Sequence, residues 1–124
     1  MSLNKTLTAI IFLLNSNAAF ACDELSWTVN GKKEGICYHK RYEAMVSAIC
    51  LDKKCGAVEF LKKVKGLRLS DEGIVQNPGS RNCKFVNGTV VMGANERGSQ
   101  NAFCQAKDGS LVDLSALGLQ AKKQ

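Results

Sequence analysis

Six cysteines, one histidine and a group of lysines are the residues of this 124-residue chain whose types could do chemistry. Cys22, Cys37, Cys50, Cys55, Cys83 and Cys104 are an even set, which in a short exported chain reads as a disulfide framework. Six cysteines allow 15 pairings, and spacing does not choose among them. Reduced, the same thiols could hold zinc, with Cys50, Cys55 and the nearby His39 as three ligands. That spacing is looser than in typical zinc fingers, and an oxidised cysteine cannot ligate. The sequence has no C-x-x-C and no C-x-x-C-H, so thioredoxin-like redox work and haem attachment lack their motif. No metal and no cofactor is expected.

Hydrolytic chemistry is no better served. His39 is the only imidazole and sits among Tyr38, Lys40, Arg41 and Tyr42, a polar stretch that suggests an exposed turn. A triad needs a nucleophile beside its base, and no serine lies in a G-x-S-x-G setting. The carboxylate pairs Asp23-Glu24 and Asp71-Glu72 are neighbours in sequence and are expected to point into solvent. No catalytic residue is assigned, and the chain is not expected to be an enzyme.

The compartment follows from the first 21 residues. Lys5 provides a positive start, Ile10-Ile11-Phe12-Leu13-Leu14 an apolar stretch, and Ala19-Phe20-Ala21 an A-x-A cleavage pattern. Residues 1–21 are therefore expected to be a signal peptide, too short for a spanning helix, with no transmembrane segment after cleavage. Cys22 stands where a bacterial lipoprotein carries its lipid, yet Ala19-Phe20-Ala21 is a poor lipobox, and a lipid there would strand another thiol. Plain cleavage gives an exported protein, periplasmic or secreted, in an oxidising space.

Loss of Lys5 with the leader leaves a net charge of +5. Much of the excess is in Lys53, Lys54, Lys62, Lys63, Lys65 and Arg68, a candidate patch for an acidic envelope component or an acidic protein. A solvated helix face is the plainer reading of the same residues. Nucleic acid is not expected, because one tryptophan and few aromatics make no stacking platform.

These groups must be positioned by a small α+β domain, with short antiparallel hairpins packed on one or two short helices and stapled by disulfides. Residues 22–66 read as an N-terminal hairpin plus a basic helix. The strand 25–29 alternates in polarity, Asn30-Gly31 marks a turn, and 35–38 returns. Tyr42, Met45, Val46 and Ile49 favour a helix over 41–50. The alternative there is a strand carrying Ala44, Val46, Ala48 and Cys50 on one face. Asp52 is the expected N-cap of the basic helix, whose apolar stripe is Ala57, Phe60, Leu61 and Val64. Gly66 ends it in a left-handed conformation. Residues 67–76 form a connector. Residues 77–115 follow as a short helix from Pro78 to about Lys84 and strands over 88–92, 99–105 and 110–114. The turns at 93–98 and 107–109 join these strands, and 116–124 is a frayed tail.

Within 77–114, Asn77-Pro78-Gly79-Ser80-x-x-Cys83, Asn87-Gly88 and Cys104-x-x-x-Asp108-Gly109-Ser110 form a pattern. It resembles the small cysteine-containing domain of unknown function of bacterial exported proteins and lipoproteins, some of them labelled hemolysins. The resemblance implies a disulfide between Cys83 and Cys104. It carries no established activity. Where the family often has another cysteine and a tryptophan after the D-G turn, this chain has Leu111, Val112 and Leu114. The functional expectation is an exported, disulfide-bonded binding or structural module of the bacterial cell envelope. The alternatives are a membrane-active, hemolysin-like secreted protein or an inhibitor of an extracytoplasmic enzyme. The contact surface would be the lysine-bearing helix face with loops 30–34 and 93–98.

Overall fold

The computed structural model describes residues 20–22, 26–51, 53–67 and 77–123. Its strands are β1 (Phe20–Cys22), β2 (Trp27–Val29), β3 (Lys32–Glu34), β4 (Ile36–His39), β5 (Ala44–Ser47), β6 (Thr89–Asn95), β7 (Gln100–Gln105) and β8 (Leu111–Asp113). Its helices are α1 (Gly56–Val64), α2 (Pro78–Phe85) and α3 (Leu114–Ala121), and a 3₁₀ turn covers Ala48–Leu51. All eight strands belong to one antiparallel sheet in the order β1-β4-β5-β8-β7-β6-β2-β3. Strand β2 pairs with β6, and β5 with β8, so the first and last parts of the chain share that sheet.

The chain connection forces this sheet to curl. Strands β3 and β4 lie near opposite ends of the order, yet only Gly35 separates Glu34 from Ile36. Three consecutive α-carbons span at most about 7 Å, so the two ends of the sheet must meet. The result is a nearly closed barrel. Its interior holds Trp27 and Val29 from β2, Ile36 from β4, Phe103 from β7 and Leu111 from β8. Trp27 meets Phe103 edge to face, with ring centroids 5.6 Å apart.

Alternation along the strands then divides the side chains between two cores. On β8, Leu111 enters the barrel and Val112 leaves it. On β7, Phe103 faces in, while Ala102 and Cys104 face out. The outer set joins Ala44 and Val46 of β5 beneath Ala57, Phe60, Leu61 and Val64 of α1 and Leu117 of α3. The apolar stripe of α1 is thus its buried face.

Three disulfides pin this arrangement. Cys22 is bonded to Cys37, Cys50 to Cys55, and Cys83 on α2 to Cys104 on β7. Residues 1–19, Asp52 and Arg68 lie outside the described residues, and so does the connector apart from Leu67. Strand β1 includes Phe20 and Ala21, the last two residues of the expected signal peptide. After cleavage there, Cys22 would be all that is left of it, held on β4 by its bond to Cys37.

Several sequence expectations are corrected. The expected small α+β domain with antiparallel hairpins is present, but the hairpins join into one curled sheet, and there are three helices among the described residues rather than one or two. The Asn30-Gly31 turn returns immediately into 32–34 and not into 35–38. Both turn residues have positive φ, 51° and 79°, the two-residue geometry that matches the twist of adjoining strands. Residues 41–50 are a strand and a 3₁₀ turn rather than a helix. The strand alternative holds over Ala44–Ser47, where Ala44 and Val46 are buried, and stops there: Ser47 is buried as well, and Cys50 is buried from the 3₁₀ turn while Ile49 is 48 % exposed. The basic helix starts at Gly56 behind Cys55, not behind Asp52, which leaves Lys53 and Lys54 in the preceding loop. It ends at Val64, and Gly66 takes φ +74°.

Strand β6 runs on to Asn95, so the 93–98 turn contracts to residues 96–98. The expected frayed tail is α3. Asp113 caps it by accepting from Ser115 N, Leu114, Ala116, Leu117 and Gln120 are buried, and the Asn82 amide donates to the Leu117 carbonyl at 3.1 Å. Proximity to the chain end suggests fraying, but Leu114 and Leu117 complete the outer core, while Leu119 is exposed.

Candidate functional site

The two ends of α1 carry the polar surface features of the molecule, and they do different work. At the N-terminal end the first amides of the helix have no intrahelical acceptors. Asp108 and Ser110, from the turn before β8, supply them. Gly56 N donates to Asp108 Oδ2 at 2.8 Å, and Ala57 N donates to Ser110 Oγ at 2.9 Å. The Ser110 hydroxyl and amide in turn donate to Asp108 Oδ1, at 2.6 and 3.0 Å. Cys55, the N-cap, accepts from Val58 N through its sulfur at 3.4 Å. Burial alone would raise the Asp108 carboxyl. The hydrogen bonds from the Ser110 hydroxyl and the Gly56 and Ser110 amides outweigh that and hold it below the ordinary aspartate value.

Position 56 has to be glycine for this clamp to close. A Cβ there would lie 2.5 Å from Ala106 Cβ and 3.1 Å from Asp108 Oδ1. The D-G-S turn is therefore a long-range helix cap. Beside it lies a depression of about 360 Å³ that also touches Glu59, Phe60, Lys63 and Lys107.

The C-terminal end of α1 borders a second groove, of about 330 Å³. Lys62, in the last turn of the helix, and Lys65, its C-cap, both line it. Arg41 and Glu43 reach it from the turn between β4 and β5, and Lys123 from the end of α3. Lys123 Nζ is 3.2 Å from Glu43 Oε1, and Lys62 Nζ is 3.2 Å from Glu59 Oε1. Two more residues line the groove. Tyr42 is packed with the Arg41 guanidinium 5.6 Å from its ring centroid and the His39 ring 5.2 Å away on a tilted plane. Gln120 is 4 % exposed, and its Oε1 has no hydrogen-bond partner among the described residues. Burial, and to a smaller extent Arg41, lower the His39 pKa against a backbone hydrogen bond that raises it, so the imidazole is neutral at physiological pH.

The groove thus gathers four cations against one carboxylate of its own. Two helix C-termini nearby add roughly half a negative charge each, which leaves the site clearly positive. An arrangement of this kind attracts and holds anions.

Of the six basic residues singled out in the sequence, five lie among the described residues. Lys62 and Lys65 border the basic groove. Lys63 lies on the other flank of α1, beside Glu59 and Asp108. Lys53 and Lys54 are exposed in the loop before the helix, and Arg68 is outside the described residues. Arg41, Lys123 and Gln120 were not singled out, because they are distant in sequence and each resembles an ordinary surface or tail residue. Among the described residues no group of three or more His, Cys, Asp or Glu side chains could hold a metal ion, and no helix is long and apolar enough to cross a membrane.

What the fold and these features define is a small disulfide-bonded α+β module with a basic groove. No family model, curated protein or solved structure matches the chain.

Proposed function

We propose that this chain is an exported, non-catalytic binding module of the bacterial cell envelope, and that its ligand is acidic. The observation that carries this reading is the convergence of Arg41, Lys62, Lys65 and Lys123 from three separate elements on one groove. Export is supported by the leader pattern and by three disulfides, which persist in oxidising compartments. A non-catalytic role is supported by the commitment of the chemically able groups. Asp108 is spent on capping α1, and His39 is packed on Tyr42. The resemblance of residues 77–114 to the domain of exported proteins and lipoproteins agrees with the same compartment.

A membrane-active role would need α1 to leave the fold and bury an apolar face in lipid. Phe60, Leu61 and Val64 instead fill the outer core, and the Cys50–Cys55 bond holds the helix start. That weighs against lysis.

The test has two arms. Mass spectrometry of protein recovered from periplasm or medium should find a chain beginning at Cys22 with no free thiol. Recovery of a reduced, uncleaved cytoplasmic chain would overturn the export reading. Isolated envelopes should retain the oxidised protein at low salt and release it as salt screens the charges. The double variant Lys62→Glu and Lys65→Glu should lose that retention. Retention equal to the parent would remove the groove from the reading.

A further inference from the structure

We infer that the Cys22–Cys37 disulfide is a modification site, at which Cys22 takes up a small thiol as a mixed disulfide while the rest of the domain stays folded. This goes beyond the binding of acidic material and does not depend on it.

The three disulfides differ in access. Cys50 and Cys55 are 6 % and 3 % exposed, Cys83 and Cys104 are 0 % exposed, and all four belong to the outer core. Cys22 is the one exposed cysteine, on β1 at the end of the sheet order, while its partner Cys37 is 0 % exposed. A disulfide is opened by a thiolate that reaches one of its two sulfurs, so access decides which bond opens and which sulfur is attacked. The four core cysteines are closed to a thiolate in solvent until the domain unfolds. Of the remaining two, Cys22 is the open one.

The exchange is balanced without any further oxidant or reductant. The incoming thiolate forms an S–S bond with Cys22, and the bond between Cys22 and Cys37 breaks. Its electron pair leaves on Cys37, which takes a proton from water and becomes a thiol. The incoming sulfur is oxidised to the disulfide level as Cys37 is reduced. Cys37 then lies within the fold, out of reach of a second thiol, so uptake stops at one per chain. Withdrawal of the free thiol lets Cys37 attack Cys22 again and restore the bond.

Opening this bond asks little of the fold. Strand β4 keeps its pairing with β5 from Ile36 to His39, Ile36 stays in the barrel, and the other two disulfides are untouched. With the leader removed Cys22 is the first residue, so the thiol adds at a chain end. Were the leader retained, the contrast in exposure and the order of opening would be the same.

The experiment incubates the oxidised protein with glutathione at several concentrations, quenches with acid and maps every cysteine by mass spectrometry. Amide spectra follow the fold in parallel. One glutathione should appear on Cys22 with a free thiol at Cys37, about tenfold or more faster than any change at the other four cysteines. The rate should rise in proportion to glutathione, the amide dispersion should persist, and removal of glutathione should restore the bond. The double variant Cys22→Ser and Cys37→Ser should take up no glutathione while its other four cysteines stay oxidised. If that variant folds poorly, the concentration dependence in the parent decides.

A rate independent of glutathione would mark unfolding as the limiting step and overturn the inference. So would an adduct on Cys37, equally fast opening of either core disulfide, or a lipid on the Cys22 sulfur with Cys37 free. None of these outcomes bears on the basic groove. Envelope retention that survives the Lys62→Glu and Lys65→Glu change would remove the groove and leave the exchange site standing.

Discussion

Replacing Asp108 by alanine tests whether the turn before β8 holds the start of α1. The carboxylate accepts from Gly56 N at 2.8 Å, from Ser110 N at 3.0 Å and from the Ser110 hydroxyl at 2.6 Å, and through that hydroxyl it orients the acceptor of Ala57 N. Loss of a helix cap costs about 0.5–2 kcal/mol, and hydrogen bonds to a charged acceptor lie toward the upper end. Asp108 is exposed, so water replaces part of what is removed, and a net loss of about 1–2 kcal/mol is expected. For a domain near 100 residues this lowers the melting temperature by roughly 5–10 °C.

The pH dependence has a fixed sign. The folded carboxyl lies below its unfolded value, so its contribution is complete above about pH 4 and is lost as pH falls through the folded value. Thermal melts of the parent, Asp108→Ala and Asp108→Asn between pH 2 and pH 7 decide the matter, in a range set by the carboxylate value. The two variants should melt lower than the parent at neutral pH and converge on it in acid. Parallel acid loss in all three, or a neutral melt of Asp108→Ala within about 1 °C of the parent, would refute the clamp.

Two further perturbations address the framework. Leu117 is fully buried where α3 meets the outer core, so Leu117→Ala should cost about 2–5 kcal/mol in urea unfolding. A silent substitution would mean that the C-terminal segment is the loose tail its position in the chain suggested. Among the disulfides, Cys83–Cys104 closes a separation of 21 residues and Cys50–Cys55 one of 5. Replacing the first pair by alanines should cost about 3 kcal/mol and the second about 2 kcal/mol, because the longer loop restricts the unfolded chain more. The reverse order in denaturant midpoints at equal slope would contradict that account.

The parts of the fold legible in the sequence are those governed by local rules. Pro78 after Asn77 marks the start of α2, where the Asn77 side chain accepts from Gly79 N at 2.7 Å, and the Ala57-Phe60-Leu61-Val64 stripe marks the buried face of α1. In the segment 41–50 a few apolar residues satisfy a period of 3.6 and a period of 2 equally well. Tertiary pairing with β4 and β8 decides in favour of the strand. The same limit hid the cap of α1. An aspartate four residues before Gly56 is the cap that local rules point to, while the acceptors in use come from a turn 52 and 53 residues away.

The basic groove is the extreme case. Arg41, Lys62, Lys65 and Lys123 each look like solvated charges, and Gln120 looks like part of a polar tail. They meet because β5 pairs with β8 and α1 and α3 pack together on the outer face, which sets the β4–β5 turn beside the ends of both helices. A run of lysines in sequence points to a helix face, whereas a binding site needs charges that the fold holds together against their mutual repulsion. In this chain Glu43 and Glu59 offset part of that repulsion, each in an ion pair with one lysine. Arg41 and Lys65 appear in neither of those pairs, which leaves them the natural first contacts for an incoming anion.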